Sequence, residues 1–403
     1  MSETTRLYYT DAKLTNFTSQ VEAIESHAAD GAICLAATAF YPTSGGQPHD
    51  TGSVDDQRVV DVVVRSDGRI WHQLDVVPTV VVGDTVTGTV DWARRFDHMQ
   101  QHTGQHVLSA ELARLFDART VGFHLGADEA TIDLDRPLLV DQVLEGESAA
   151  NTVIWDDRLI EVSIVTAQEA AQLDLRKPSR RTGSIRLVEI FDCDLSACGG
   201  THVGRSGAVG VVAVSFCERY KSGSRMGFVC GGRALRLFRR QHQELTRSGQ
   251  LLSVGPDDLA SAIERNQRER RDQRRLIKSL QTRLVSLDAD ALAVDGRLVG
   301  SATVVTASLH GHDPKSLKAV AIELIRRPGH VAVLATDRRP VGVVVARAEG
   351  VALDAGDLVQ AFLATWPGRG GGRHDVAQAG GLDADPADVL RVARSLLSER
   401  LSD

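Results

Sequence analysis

Two short clusters of metal-binding side chains constrain this chain more than any other feature. His102 and His106 bracket Thr103-Gly104-Gln105, and Cys198 and His202 bracket Gly199-Gly200-Thr201. Together they supply three imidazoles and one thiolate, a full tetrahedral shell for one zinc ion. On a helix His102 and His106 project from one face, because residues four apart lie one above the other. Gly199-Gly200 suits a tight loop wrapped round a metal. Either pair alone is a weak signal; both in one chain point to a zinc site assembled from distant segments. No Glu stands inside the HxxxH, so the metalloprotease helix motif is absent. Four protein ligands leave no open position, which makes a structural clamp the default. A catalytic role needs a displaced ligand or a metal that orients substrate.

The five cysteines are odd in number and irregularly spaced. The polar start Met1-Ser2-Glu3-Thr4 is no signal peptide, and no apolar run reaches membrane-spanning length. A reducing cytoplasm is expected, where a Cys beside a His is a ligand rather than a disulfide partner. Cys34, Cys193, Cys217 and Cys230 are expected to pack as small apolar groups, with Cys193 the alternative ligand to Cys198.

A net charge of −7 over 403 residues excludes a uniformly basic, nucleic-acid-coating surface. Contacts to a polyanion must come from local patches. Arg176, Lys177, Arg180, Arg181 and Arg186 form one between two strands, and Lys221 with Arg225 forms another. Gly368 to Gly372, with Arg369 and Arg373, could let a backbone approach a phosphate closely. Each of these also reads as a solvated face or a plain turn.

Along the chain, residues 6–92 carry short β-branched runs at barrel-like intervals, among them Val59-Val60-Asp61-Val62-Val63-Val64. Residues 93–236 open with the helix that bears the first ligand pair, with Asp91 as its N-cap, and continue with mixed strands and helices. In 237–293 Arg, Gln, Glu and Leu dominate. Gly255-Pro256 divides this stretch, and the apolar stripe of Leu259, Ile263, Ile277, Leu280, Leu284 and Leu287 is interrupted at Asn266 to Gln273. The pattern predicts a helical linker or short hairpin rather than a long coiled coil. Residues 294–403 alternate buried strands near 303–306, 331–334 and 341–345 with helices over 314–326, 355–365 and 386–400. The expected fold is α+β and multidomain: a β-barrel (1–92), a zinc-containing α/β domain (93–236), a helical linker (237–293) and a small C-terminal α/β domain (294–403).

The context of the ligands is more specific than the ligands themselves. Arg95-Phe96-Asp97-His98-Met99-Gln100-Gln101-His102-Thr103-Gly104-Gln105-His106-Val107-Leu108-Ser109 resembles the editing domain of alanyl-tRNA synthetases, and still more the free-standing AlaX-type editing proteins. Matching segments follow in the family's order: Tyr41-Pro42-Thr43-Ser44-Gly45-Gly46-Gln47-Pro48, Thr120-Val121-Gly122-Phe123-His124, Leu195-Ser196-Ala197-Cys198-Gly199-Gly200-Thr201-His202 and Lys221-Ser222-Gly223-Ser224-Arg225. Gly370-Gly371-Gly372-Arg373-His374-Asp375 resembles the synthetase's C-terminal domain. Thr43-Ser44 stands where the family usually has an acidic residue and a glycine, and His374 where proline is common.

The resemblance implies deacylation of mischarged tRNA-Ala, chiefly seryl-tRNA-Ala and also glycyl-tRNA-Ala, with one zinc held by His102, His106, Cys198 and His202. No aminoacylating module precedes residue 1, so synthesis of aminoacyl-tRNA is not expected. Thr120 is the candidate reader of the serine hydroxyl, against the alternative of an ordinary strand threonine. Gln47 is expected to place a water or a ribose hydroxyl. His98, one turn before His102, is a candidate substrate group, His124 could face the pocket, and Asp192 is expected to support a ligand or the Cys198 loop. The basic clusters would hold the tRNA, and the C-terminal or helical region could form a homodimer. A tRNA-binding module with structural zinc and no catalysis is the alternative from another class.

Overall fold

The computed structural model describes residues 3–178 and 182–401. Six antiparallel strands close into a barrel, in the order Asn16–Ser26, Gly31–Leu35, Ile70–Leu74, Gln57–Val64, Gly52–Val54 and Thr85–Val90. In Thr85–Val90 buried and exposed residues alternate along the whole strand, as a strand with one face inward must. Phe17, Val21, Ile33, Leu35, Val59, Val62, Ile70 and Leu74 are among the side chains that fill the interior.

The barrel leads directly into a helix, Trp92–Phe116. Asp91 caps it, accepting from the amides of Ala93 and Arg94, and Asp117 ends it in the left-handed region. This helix is not amphipathic, because it runs through the middle of its unit. Every residue from His98 to Leu112 is buried. It packs against a second helix, Val140–Trp155. It also meets a four-stranded antiparallel sheet ordered Val212–Tyr220, Gly223–Cys230, Ala130–Leu134 and Thr120–Leu125. A three-stranded sheet of Ile160–Thr166, Ser184–Ile190 and Asp194–Ala197 completes this part.

A buried ion pair joins barrel to helix. Arg95 and Asp50 are fully buried, and the Arg95 guanidinium also donates to the carbonyls of Ala12 and Ala39. The Asp50 carboxylate accepts the Tyr41 amide besides. Further hydrogen bonds offset the cost of burying such a pair: the carbonyls of Ala12 and Ala39 take two of the Arg95 donors, while Asp50 Oδ1 is left without a partner.

The chain divides into two units, Met1–Ser248 and Gly249–Asp403. The second contains a six-stranded mixed sheet ordered Arg297–Val299, Ala302–Leu309, His330–Thr336, Val341–Arg347, Val376–Leu382 and Arg369–Gly372. Ala302–Leu309 and His330–Thr336 run parallel, which requires a crossover, and the helix Pro314–Leu324 supplies it. The chain is thus an α+β multidomain protein with a closed barrel.

The helical stretch consists of two helices on either side of Gly255-Pro256. Leu259–Val294 is one continuous helix of 36 residues, about 54 Å long at 1.5 Å per residue. Losing the apolar stripe at Asn266 to Gln273 does not break it, because Arg, Glu and Gln are themselves strong helix formers. Gly255-Pro256 lies in the connection from the preceding helix, Gly231–Leu252, which ends with Ser253 in the left-handed region.

Candidate metal centre and its cavity

The helix Trp92–Phe116 brings His102 and His106 to one face, and the loop after Asp194–Ala197 carries Cys198 and His202 to meet them. One ligand atom from each of the four lies within 4.8 Å of all the others. Cys198 Sγ is 3.5 Å from His102 Nε2 and 3.4 Å from His202 Nε2. The loop can pass this close because Gly200 has no side chain: a Cβ there would fall 2.1 Å from His102 Cε1. The Gly200 amide lies 3.4 Å from Cys198 Sγ, in position to donate to the sulfur.

Each imidazole turns its Nδ1 away from the cluster. His102 Nδ1–H donates to Gln47 Oε1 at 2.7 Å, His106 Nδ1–H to Asp194 Oδ2 at 2.7 Å, and His202 Nδ1–H to Thr103 Oγ1 at 3.2 Å. That selects the tautomer whose Nε2 lone pair faces inward, the arrangement metal-bound histidines use. Burial works against charge on His106, but Asp194 and the Cys198 sulfur outweigh it and raise its pKa to about 9; without a metal its Nε2 therefore also holds a proton near neutrality, which a bound ion would displace. Burial opposes ionisation of Cys198 too, yet His102 and His202 hold its thiol well below the usual range. His202 is lowered to about 3 by burial and stays neutral. A thiolate among imidazoles is a donor set that could hold a metal ion.

Several supporting groups differ from expectation. Gln47 is fully buried; its Nε2 donates to Thr201 Oγ1 at 2.9 Å while its Oε1 holds His102. It supports a ligand and the second ligand loop, and does not face the cavity. The carboxylate under His106 is Asp194, not Asp192. Asp192 sits exposed in a left-handed turn, while Asp194 and Ser196 lie on the inward side of their strand, two residues apart. Cys193 stays out of the cluster, its thiol pushed up to about 12 by burial. His98 is buried one turn earlier and lines neither cavity at the cluster. Burial first, and Arg94 next, lower it to about 3, so near neutrality it is the uncharged imidazole. His124 is exposed and lines neither cavity.

Beside the cluster lies a cavity of about 340 Å³ whose lining includes His102, His106, Cys198, Gln105, Thr120 and Phe123. Phe123 stacks on His102, with ring centroids 5.3 Å apart. Thr120 lines both this cavity and a further one of about 460 Å³, whose lining also includes Arg119 and Arg176. Sequence reasoning missed Phe123, Thr103, Gln105 and Ser109. The one local signal was spacing: Gln105 and Ser109 extend the ligand face of the helix by single turns.

The basic residues separate into three kinds. Lys177 is exposed at the cavity mouth. Arg176 lines the same mouth, but its Nε donates to Asp194 Oδ1 at 2.6 Å and its Nη2 to Ser196 Oγ at 3.1 Å. Arg186 is buried and donates to the carbonyls of Tyr9, Cys198 and Gly200, so it shapes the ligand loop instead of meeting a polyanion. Arg225 pairs with Asp133 at 2.7 Å and lies over the Tyr220 ring, beside an exposed Lys221 in the hairpin turn. Arg180 and Arg181 lie outside the described residues. In the second unit Arg369 begins the edge strand Arg369–Gly372, and Arg373 follows it, 3.4 Å from Asp375.

Two known sequence families match parts of the chain. One described as tRNA synthetases class II (A) matches residues 2–94, and the DHHA1 domain matches residues 301–403. These matches define a class of chains that join a synthetase-related barrel to a DHHA1 domain. Alanyl-tRNA editing protein AlaX-L of Pyrococcus horikoshii is 30% identical over 411 residues, covering 98% of this chain and 99% of that protein. The chain belongs to the AlaX-type family of alanyl-tRNA editing proteins, in its long form. Alanine–tRNA ligase of Pyrococcus abyssi is 31% identical over 390 residues, 94% of this chain and 42% of the ligase. The chain therefore spans about two fifths of the length of that ligase. Among solved structures, the C-Ala domain from Aquifex aeolicus alanyl-tRNA synthetase is 26% identical, with a TM-score of 0.24, covering 27% of this chain and 98% of that one. Among the described residues, no helix is long and apolar enough to cross a membrane.

Proposed function

We propose that this protein is a trans-acting editing hydrolase that removes serine, and also glycine, from mischarged tRNA-Ala, with one zinc ion in the His102, His106, Cys198 and His202 cluster. The observation that carries the reading is one cavity lined by three of the four cluster residues, His102, His106 and Cys198, together with Thr120. The full-length match to an alanyl-tRNA editing protein supports the substrate class.

Zinc fits the donor set. Bond lengths of about 2.3 Å to sulfur and about 2.0–2.1 Å to nitrogen at tetrahedral angles imply an S···N separation of roughly 3.5 Å. The separations from Cys198 are 3.5 and 3.4 Å. When bound, the ion supplies a fixed positive charge that orients the substrate end beside the cavity.

The chain's own groups do the rest. Gln47, Asp194 and Thr103 hold the Nδ1 protons of the three histidines and so keep the cluster preorganised. Thr120 reads the side-chain hydroxyl of the amino acid. Lys177 at the mouth meets backbone phosphate and positions the acceptor end. The ester is already activated, so holding water and carbonyl in register supplies much of the rate. Water adds across the ester, releasing the free amino acid and the terminal ribose hydroxyl. The barrel (1–92) and the ligand-bearing segment (93–236) form this site in our reading. The helical segment (237–293) and C-terminal domain (294–403), with Arg369 and Arg373, hold the body of the tRNA. This work belongs in the cytoplasm.

The test is release of serine from pre-charged seryl-tRNA-Ala, with alanyl-tRNA-Ala and seryl-tRNA-Thr alongside and Cys198→Ala as control. Selective loss from seryl-tRNA-Ala that vanishes in the variant is the expected result. No release by folded, zinc-loaded protein would leave a tRNA-binding module with structural zinc, the reading that the closed four-ligand shell favours.

A further inference from the structure

Beyond the ligand pair, the buried face of the helix Trp92–Phe116 carries a second polar pair. Gln105 follows His102 by three residues, and Ser109 follows His106 by three, so both continue the ligand stripe toward the strand Thr120–Leu125. Both are buried. Gln105 Nε2 donates to Ser109 Oγ at 2.8 Å, and Thr120 Oγ1 donates to the same oxygen at 2.7 Å. Ser109 therefore accepts twice, once from an amide that can only donate. With its proton on Ser109, the Thr120 oxygen keeps lone pairs that can accept a further hydrogen bond, and Thr120 is a lining residue of the cavity.

We propose that Ser109 is a positioning residue for substrate selection: with Gln105 behind it, it fixes the Thr120 hydroxyl as an acceptor aimed at the cavity, so that an amino acid whose side chain ends in a donor O–H is held and one ending in a methyl is not. This rests on the editing reading above and deepens it by assigning the polarity of the reader. A freely rotating Thr120 hydroxyl would divide its time among rotamers and lose much of that preference. A buried, satisfied acceptor such as Ser109 Oγ removes the choice. Ser109 itself lines neither cavity at the cluster, so it acts through Thr120.

The experiment compares deacylation of seryl-tRNA-Ala and of alanyl-tRNA-Ala, the latter at high enzyme as the hydroxyl-free reference, in wild type, Ser109→Ala, Gln105→Met, Thr120→Val and the Ser109→Ala/Thr120→Val double variant. A single neutral hydrogen bond predicts a roughly three- to tenfold fall in the seryl-to-alanyl ratio for Ser109→Ala, and a smaller fall for Gln105→Met. In Ser109→Ala the alanyl rate should hold, and Ser109→Ala should add nothing to the seryl-to-alanyl ratio in the Thr120→Val background. Equal loss on both esters, an unchanged ratio, or additive effects in the double variant would each overturn the proposal while leaving the editing activity standing. Should Ser109→Ala not fold, the Gln105→Met ratio decides by the same criteria. Wild-type protein that releases neither amino acid would overturn the editing reading and this proposal with it.

Discussion

His106 Nδ1 lies 2.7 Å from Asp194 Oδ2, and the Arg176 guanidinium grips the other oxygen of that carboxylate at 2.6 Å. A half-buried arginine at the cavity mouth thereby reaches the cluster through one intervening side chain. Asp194→Asn removes the charge that sets the His106 tautomer and keeps the shape. Loss of such an outer partner costs roughly 10- to 100-fold in metal affinity. Competition with a chromophoric chelator should read that loss in Asp194→Asn, and zinc binding as tight as wild type would refute the support role.

Arg176 and Lys177 are neighbours with separate tasks. Lys177→Ala should weaken tRNA binding and reduce the log–log salt slope by about 0.7–0.9, the value of one phosphate contact, with zinc affinity unchanged. Arg176→Ala should lower zinc affinity as well, because it frees Asp194. Filter binding across a salt series, paired with chelator competition, separates the two.

Gln47 carries the barrel's contribution to the cluster. Replacing it by Leu leaves His102 Nδ1–H and the Thr201 hydroxyl without their partner in a buried setting, which costs on the order of 1–3 kcal/mol. The denaturant midpoint of the zinc-free protein should drop accordingly. An unchanged midpoint would mean that neither bond contributes to joining barrel and ligand loop.

His72 in the barrel gives a pH dependence of known sign. Its Nδ1–H donates to the Ile33 carbonyl, and its Nε2 accepts from Thr38 at 2.8 Å. Burial lowers its pKa from the ordinary 6.5 to about 4. The unfolded chain therefore binds the proton more readily between these values. Stability is full above pH 6.5, falls as the pH drops toward 4, and levels off below that. The span amounts to about 3 kcal/mol for this group. His72→Gln should flatten the thermal midpoint across that window, and a slope as steep as wild type would assign the effect elsewhere; His98 has the same sign.

On the long helix Ile277, Leu280, Leu284 and Leu287 are exposed and repeat at three- and four-residue steps, the spacing of a coiled-coil seam. We expect a homodimer that Leu280→Glu with Leu284→Glu dissociates. Light scattering on both proteins checks this; a monomeric wild type would end the expectation.

Local rules carried far in this chain. The four-residue step of His102 and His106, the Gly-Gly between Cys198 and His202, and the Asp91 cap are visible in sequence because each depends only on neighbours a turn away. The same holds for the strands near 331–334 and 341–345, whose unbroken apolar runs signal burial on both faces. Elsewhere the same reasoning went astray. Asp192 and Asp194 are equally acidic and lie six and four residues before Cys198. Which of them meets His106 depends on the pairing of Asp194–Ala197 with Ser184–Ile190, and strand parity is set across the sheet. Gln47 reads as a loop residue until the barrel closes against His102. Arg186 reads as one more surface charge until three carbonyls surround it.

By itself the sequence determined the ligand types, their spacing and the segments that hold them, since these follow from side-chain chemistry and helical or loop geometry within a few residues. Only the tertiary structure decided which groups orient those ligands and which arginines are spent inside. Only it placed Ser109 behind Thr120. Those are contacts between segments far apart in the chain, chosen by how barrel, helix and sheets pack, and no local pattern encodes the packing.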